Sequence, residues 1–414
     1  MGQLNRLITL VRKKLISLAD ALIYAFVPAK KKPSLSIDTE AYIAFIGTKL
    51  PARITRIGKC IREYKKVLFI QEDGNVTAFL NPEAFDLVLT FRNVWHLLLL
   101  LKKNKLPIKL IHAFEPKTMV AARIIRRYKG KIPVTVDFQD VYVNYYGENP
   151  PIYWMRKDIP FEKYCIENAD GLIASSLELI PAKKLFKVAN LPPTIFFPLY
   201  CDNSEFSTAI STSTEVNIVY VGGISSFSDT NPDSQITNYH YLINELDSQK
   251  IHFHIYPSPH VKKEIISEYQ DLSNRLNYFH MHSTVAMSQL SAELSQYDFG
   301  IIPFFYNDSW IDNPKLKYSI SLKLFNYLEA GLPIIISRDI FFQSWLVKRY
   351  DCGIVLSNRQ EISTLSTLVK KENASRLKEN VLTARHHLSL DAQIPRLLTF
   401  YQKIIAAFPQ KVNR

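Results

Sequence analysis

The sequence predicts an α/β fold made of two tandem, Rossmann-like, doubly wound domains. Short apolar runs alternate with stretches of helical periodicity along most of the chain. Continuous apolar runs of this kind are typical of parallel strands that helices cover on both faces. The chain has 414 residues, which is more than one typical domain requires. We therefore expect two parallel sheets, with a ligand cleft between the domains that carry them.

The apolar runs fall into two groups, and the Ser- and Thr-rich residues 201–215 between them are interpreted as a linker. The first group lies at 41–47, 66–71, 85–91, 110–116, 134–140 and 171–176, with 194–200 as a candidate seventh. The second group lies at 216–225, 251–258, 276–283, 298–305, 333–337 and 352–357. The predicted organisation is a helix at 1–35, domains at 36–200 and 216–390, and a final helical segment at 391–414.

Residues 1–33 predict an amphipathic basic helix. They carry seven basic residues and one acidic residue, a net charge of +6. Such a helix can lie in the headgroup plane of an anionic membrane. Two alternatives stay open, a helix that packs on the protein itself and a processed signal peptide. The apolar stripe consists of Leu4, Leu7, Ile8, Val11, Leu15, Leu18, Leu22 and Phe26.

The positive charge of the chain is concentrated in its first half. Residues 1–200 contain 31 Lys and Arg and 17 Asp and Glu, a net charge of +14. Residues 201–414 contain 20 Lys and Arg and 21 Asp and Glu, a net charge of −1. This asymmetry indicates that one half faces an anionic surface. Because no DNA- or RNA-binding motif accompanies the charge, we favour an anionic bilayer over nucleic acid. The four scattered cysteines form no CxxC motif. They are typical of reduced thiols, and we expect a location at the cytoplasmic face of the plasma membrane.

The segment SLKLFNYLEAGLPIIIS, residues 321–337, predicts a helix that leads into a buried strand. Ser319 or Ser321 can cap the helix, whose first N–H groups would then face an anion. Lys323 adds a charge in the first turn, and Asn326 follows three residues later on the same face. This arrangement predicts a phosphate site. The alternative is a solvated lysine on a surface helix.

Two further strand ends are candidate parts of that site. Gly222 and Gly223 end the run VNIVYVGGIS, and paired glycines let a phosphate approach the backbone. The alternative is an ordinary strand-to-loop turn. Pro303 and Phe304 end the run DFGIIPFF, where an aromatic strand end can hold a nucleobase or simply pack in the core.

These segments, in this order, resemble the bacterial group 1 (family 4-type) glycosyltransferases of the GT-B fold. Residues 321–337 are similar to the signature KLFEYLAAGLPVI of those enzymes, and LSQYDFGIIPFF is similar to their "aDvgiiP" segment. VNIVYVGGIS resembles the strand that opens their nucleotide-binding domain. LIHAFEP, VDFQDVY and YCIENADGLIASS resemble segments of their N-terminal domain. The resemblance implies that the C-terminal domain binds a nucleotide-sugar donor, that the N-terminal domain binds the acceptor, and that the final helix crosses back to the first domain.

The chain departs from this family at two positions. Asn326 stands where the family commonly has a glutamate that contacts the donor ribose, and Glu329, one turn later, is the candidate substitute. Ser225 and Ser226 stand in the region where an arginine often follows the glycine strand.

Sugar transfer requires an activated acceptor hydroxyl and a stabilised diphosphate leaving group. Lys323 and the helix end at Ser321 would serve the leaving group, together with the glycine pair. Asp140 is the best candidate base if the reaction inverts, and Asp137 and His112 are the other candidates. Each has a structural alternative, a cap for the two carboxylates and a buried, hydrogen-bonded ring for the histidine.

Cofactors are not expected, because the chain has no DxD motif that would indicate a metal-bound diphosphate. Two H-x-H pairs, His252/His254 and His280/His282, have strand spacing and are an alternative zinc site. Neither pair has a third ligand nearby in the sequence, so no metal is predicted.

The sequence therefore predicts a metal-independent glycosyltransferase of surface polysaccharide assembly. It would pass a sugar from a nucleotide-sugar to an acceptor, lipid-linked or oligosaccharide, at the cytoplasmic membrane face. Two alternatives stay open, a nucleotide-sugar epimerase of the same fold and a catalytically inactive protein that binds sugar nucleotides.

Overall fold

The structure is a computed structural model that describes residues 41–47, 52–73, 82–103, 106–114, 118–208, 215–229, 236–305, 314–369 and 371–408. Within these residues the strands form one seven-stranded sheet and one six-stranded sheet. Each apolar run identified in the sequence overlaps one of these strands. The predicted α/β class with two sheets is therefore confirmed.

The strands of the first sheet are β1 (Tyr42–Gly47), β2 (Val67–Glu72), β3 (Leu87–Phe91), β4 (Ile108–Phe114), β5 (Val134–Phe138), β6 (Gly171–Ala174) and β7 (Thr194–Phe196). Their order is β3-β2-β1-β4-β5-β6-β7. Strand β1 pairs in parallel with β2 and β4, which places Phe45 opposite Phe69 and His112. These three side chains are fully buried, so His112 lies in the interior of the sheet.

The strands of the second sheet are β8 (Asn217–Gly222), β9 (His252–Pro257), β10 (Phe279–Met281), β11 (Phe299–Ile302), β12 (Ile334–Ser337) and β13 (Gly353–Leu356). Their order is β10-β9-β8-β11-β12-β13, and all neighbours pair in parallel. The carboxyl ends of these strands therefore share one edge, which carries Gly222 of β8 and Pro303 after β11. Ligands of such sheets bind at this edge.

Helices connect the strands, as the alternating pattern predicts. Short 3₁₀ segments lie among them at Pro82–Ala84, Asn203–Glu205 and Arg359–Thr364. The α-helices are α1 (Ala52–Arg62), α2 (Val94–Lys103), α3 (Thr118–Tyr128), α4 (Val143–Tyr146), α5 (Tyr153–Asn168), α6 (Leu179–Leu185), α7 (His240–Ser248), α8 (Lys263–Ser273), α9 (Met287–Leu294), α10 (Pro314–Tyr318), α11 (Leu322–Glu329), α12 (Phe341–Tyr350), α13 (Leu365–Leu368), α14 (Lys371–His387) and α15 (Leu390–Ala407).

The described chain divides into two compact units. The first contains the residues up to Asp137, Pro160–Leu172 and those from Tyr401 onward, and the second contains Phe138–Ile159 and Ile173–Phe400. Each side-chain cluster discussed below lies within one of these units. None of the described helices is both long and apolar enough to cross a membrane.

The predicted helix at residues 1–35 lies outside the described residues, and so do residues 209–214 of the predicted linker. The described part of that linker contains a turn of 3₁₀ helix, Asn203–Glu205, and Asp202 caps this turn by accepting a hydrogen bond from the Ser204 N–H. The final helix is observed as α15, Leu390–Ala407, which starts one residue before the predicted segment 391–414.

Candidate functional site

The helix predicted in residues 321–337 is α11, and it starts directly after Ser321. Ser321 has the extended backbone of an N-cap residue but makes no capping hydrogen bond with its side chain. Its hydroxyl instead donates to Oε1 of Gln343 at 2.9 Å. The prediction that a serine hydroxyl caps this helix is therefore wrong in detail. The serine lies at the cap position, and its side chain is used to hold α12.

Lys323 lies in the first turn of α11, and its ammonium reaches the carboxyl end of β8. Its Nζ is 5.5 Å from the centroid of the Tyr220 ring and 5.3 Å from that of Phe304, within the range of cation–π attraction. In the described part of the chain, no carboxylate lies within ion-pair distance of this ammonium. Burial lowers the pKa of Lys323 to about 8. An anionic ligand would strongly stabilise the charged form of this buried lysine.

The glycine pair creates the space that Lys323 occupies. Gly222 has φ of +140°, and a Cβ at this position would lie 2.5 Å from Cε of Lys323. A side chain at position 222 would therefore displace the lysine. Around Gly223, no heavy atom of the described residues lies within 4 Å of the position that a Cβ would take. The Gly223 carbonyl accepts a hydrogen bond from the Tyr220 hydroxyl at 2.8 Å, which fixes the loop.

The two residues after β11 have different surroundings. The Phe304 ring faces the Lys323 ammonium, so the structure brings these two predicted donor-binding residues together. Pro303 is buried and lines a small recess with Tyr239, Phe305 and others. Phe304 is therefore the residue of this pair that lies beside Lys323.

The structure separates the roles of Asn326 and Glu329. The Asn326 side chain is 5% exposed and makes no hydrogen bond with the residues described. Glu329 is 2% exposed, and its Oε1 accepts a hydrogen bond from the Asp202 N–H at 2.8 Å. Its carbonyl also accepts hydrogen bonds from the Ser207 N–H and from Arg385. These contacts favour a structural role for Glu329 over contact with a donor ribose.

Two of the predicted catalytic residues, Asp137 and His112, lie in a fully buried cluster of the first unit. Arg53 of α1 donates to Asp137 through Nε at 3.0 Å and Nη2 at 2.8 Å. His112 Nε2 donates to the same carboxylate at 3.2 Å, and its Nδ1 accepts from the Tyr401 hydroxyl at 2.5 Å. The carboxylate can only accept, so it fixes the tautomer of the ring.

The electrostatics of this cluster suit a structural role. Burial alone would raise the pKa of Asp137, but the charge of Arg53 and the hydrogen bond from His112 hold it below its usual value. Burial lowers the pKa of His112, so the ring is neutral. All three side chains are fully shielded from solvent in the described residues. The cluster therefore favours the structural alternative for Asp137 and His112.

Asp140 follows the end of β5 and is the accessible member of the three predicted catalytic residues. Its side chain is 47% exposed. Lys315 of α10 forms ion pairs with Asp140 and, at 2.8 Å, with Glu178. Burial raises the pKa of Glu178, whereas its pairing with Lys315 opposes that rise. Ionic contact with Lys315 keeps Asp140 oriented while leaving part of the carboxylate exposed.

Sequence reasoning missed Lys315, Glu178 and Arg53. Arg53 left a signal, because it shares the buried stripe of α1 with Ile57 and Ile61, where a charged side chain needs a partner. Lys315 and Glu178 left none, since their pairing joins residues 137 positions apart.

The comparisons with known proteins concern both the C-terminal domain and the fold. Residues 241–398 match the family described as "Glucosyltransferase 3-like, C-terminal domain". The chain is similar to a sucrose-phosphate synthase from Thermosynechococcus elongatus, with a TM-score of 0.63 and 14% identity over 89% of this chain and 100% of that one. It is also similar to the GtfA/B complex, with a TM-score of 0.51 and 9% identity over 76% of this chain and 61% of that one. A search of curated protein sequences finds no significant match.

At such low identities the structural likeness establishes the fold, and the family match over residues 241–398 adds the type of domain. Both agree with the resemblance that the ordered sequence motifs predict, which is thereby confirmed. The chain has the GT-B fold, and residues 241–398 form a glucosyltransferase 3-like C-terminal domain.

Proposed function

We propose that the chain transfers a sugar from a nucleotide-sugar donor to a lipid-linked glycan at the cytoplasmic face of the membrane, in surface polysaccharide assembly. The position of the Lys323 ammonium is the observation that supports the binding of a nucleotide-sugar donor. This ammonium is held at the carboxyl end of a parallel strand, beside two glycines and away from any described carboxylate. A diphosphate supplies the negative charge that this ammonium lacks.

In the proposed reaction Lys323 binds the donor diphosphate and stabilises the charge that develops as the sugar–phosphate bond breaks. The open space beside Gly223 lets phosphate oxygens approach the backbone. The Phe304 ring, next to the same ammonium, provides an apolar wall for the nucleotide. Each of these groups acts without a metal ion, in line with the absence of a DxD motif.

Asp140 is the proposed base if the reaction inverts the sugar configuration. It would accept the proton of the acceptor hydroxyl as that hydroxyl attacks the anomeric carbon. Lys315 orients the Asp140 carboxylate through an ion pair, and the same ammonium also pairs with Glu178. Asp137 and His112 take no part in the proposed reaction, because both side chains are fully buried against their own partners.

The proposed membrane location rests on charge. The net charge of +14 in residues 1–200 includes the +6 of residues 1–33, whose apolar stripe would enter the lipid boundary. A variant that lacks residues 1–33 should lose binding to vesicles that contain anionic lipid. Unchanged vesicle binding would contradict the anchor while leaving the donor site untouched.

A thermal-shift screen with UDP-, GDP-, ADP- and CMP-sugars tests the donor site. One nucleotide-sugar should stabilise the protein by about 2.7 kcal/mol at 100 times its dissociation constant. The shift should disappear in Lys323→Met and persist in the matched control Lys348→Met, which alters an exposed lysine on α12. An equal shift in both variants would refute the role of Lys323.

A further inference from the structure

A cluster of four histidines lies on two neighbouring parallel strands of the second sheet. His252 and His254 belong to β9, His280 belongs to β10, and His282 follows β10. Residues two apart on a strand project to the same face, and His280 pairs in register with His254. Nδ1 of His252 is 2.8 Å from Nε2 of His280, and Nδ1 of His254 is 2.9 Å from Nε2 of His282.

Neighbouring side chains fix which nitrogen of each β9 histidine carries the proton. Nε2 of His252 lies 2.6 Å from Oε2 of Glu215, and this carboxylate can only accept a hydrogen bond. Nε2 of His254 lies 3.1 Å from Oδ1 of Asn217, which also accepts. Both rings therefore donate through Nε2 and present the lone pair of Nδ1. A carboxylate or amide oxygen behind a histidine is the usual outer partner of a metal ligand.

The separations within the cluster are close to those that a metal ion requires. One ligand atom from each of His252, His254 and His280 can be chosen so that all three lie within 4.8 Å of one another. A tetrahedral zinc ion with bonds of about 2.0–2.1 Å holds its nitrogen ligands about 3.3 Å apart. Small side-chain rotations therefore suffice.

We propose that His252, His254 and His280 bind one divalent transition-metal ion of the zinc class, with Glu215 as the outer partner of His252. Either H-x-H pair alone supplies only two ligands. The parallel register of β9 and β10 supplies the third, which the sequence does not reveal. Three imidazole ligands suit zinc, nickel or copper and do not suit magnesium or calcium.

The position of this histidine site indicates a structural role. His252 begins β9 and pairs with Asn217 at the amino end of β8, whereas the proposed donor site lies at Gly222, the carboxyl end of β8. The two sites therefore lie at opposite ends of the parallel strands, the histidines toward the amino ends and the proposed donor site at the carboxyl ends. Strand β10 is short and is the outermost strand of this sheet, so an ion bound by both β9 and β10 would stabilise their pairing.

The test uses the full, untagged chain after treatment with a chelator. Zinc is titrated against a chromophoric indicator, and thermal unfolding is followed with zinc, nickel or magnesium present. The expected result is one zinc ion per chain and a raised Tm with zinc and nickel but not with magnesium. No stoichiometric zinc binding, or an equal effect of magnesium, would overturn the proposal.

Three variants assign the ligands. His280→Gln should weaken zinc binding at least 100-fold, and Glu215→Gln should weaken it about 10- to 100-fold. His260→Gln, at an exposed histidine of the same unit, should change nothing. Unchanged affinity in His280→Gln, or an equal loss in His260→Gln, would contradict the assignment.

A measurement on the unaltered chain covers the case in which a variant fails to fold. Diethylpyrocarbonate modifies accessible histidines, and the modified positions are read by mass spectrometry. Zinc should protect His252 and His280 while leaving the modification of His260 unchanged. Equal modification with and without zinc would show that the cluster is a hydrogen-bonded ladder of imidazoles and would refute the metal site.

Discussion

Replacement of Lys323 by methionine should make the unliganded protein more stable. The folded protein holds the Lys323 ammonium where burial lowers its pKa from 10.5 to about 8, which corresponds to an electrostatic cost of at most about 3 kcal/mol. Methionine keeps most of the volume and removes the charge. Two cation–π contacts, with Tyr220 and Phe304, are lost and together remove about 1 kcal/mol of stabilisation. The expected net gain at pH 7 is about 2 kcal/mol.

The pH dependence of this gain has a definite sign. Between pH 8 and pH 10.5 the unfolded lysine keeps its proton while the folded one has lost it, so the stability of the unaltered protein rises with pH in this interval. The advantage of Lys323→Met is therefore complete below pH 8 and disappears as the pH approaches 10.5. Thermal unfolding of both proteins at pH 7, 8.5 and 10 measures it.

The same substitution should weaken nucleotide binding. Hydrogen bonds to charged groups contribute about 1.5–3 kcal/mol, so the dissociation constant of the nucleotide-sugar should rise about 10- to 150-fold. Isothermal titration calorimetry at pH 7 tests this, with Lys348→Met as the control. A less stable variant at pH 7, together with nucleotide affinity within twofold of the unaltered protein, would refute the reasoning.

Three other substitutions have distinct expected outcomes. Asp140→Asn should lower turnover about 10²- to 10⁴-fold without changing nucleotide affinity, and unchanged turnover would exclude Asp140 as the base. Glu329→Ala should lower the free energy of unfolding by about 1–3 kcal/mol, because the Asp202 N–H loses its acceptor, while calorimetry finds nucleotide affinity unchanged. Asp137→Asn should cost about 3–5 kcal/mol in thermal unfolding, because the Arg53 charge stays buried without a counter-charge, and a Tm equal to that of the unaltered protein would contradict this.

The two sheets could be predicted from the sequence because their strands are buried on both faces. Strand β12, Ile334–Ser337, is an uninterrupted apolar run between a proline and a polar loop, and its boundaries were predicted within one residue. The continuous apolar composition of such runs is enough to predict that both faces of the strand are buried. Strand β10 is predicted as eight residues and has three, because its pairing with β9 extends only over Phe279–Met281.

The candidate site was predictable only where the local pattern determines the environment. The position of Lys323 follows from the helix that begins at Leu322, and its proximity to Gly222 follows from the common edge of a parallel sheet. The partners of Asp137 and Asp140 could not be predicted, because Arg53 and Lys315 reach them through tertiary packing. Side-chain identity does not specify such long-range pairs.

The central claim is that the Lys323 ammonium binds the donor diphosphate, and proton uptake on nucleotide binding tests it most directly. At pH 9 most of the unliganded Lys323 is uncharged, because its pKa is about 8. Diphosphate binding should restore the charge, so calorimetry in buffers of different ionisation enthalpy should report uptake of about one proton per nucleotide. The uptake should vanish in Lys323→Met. Equal proton uptake in the variant and in the unaltered protein, or none in either, would contradict the account.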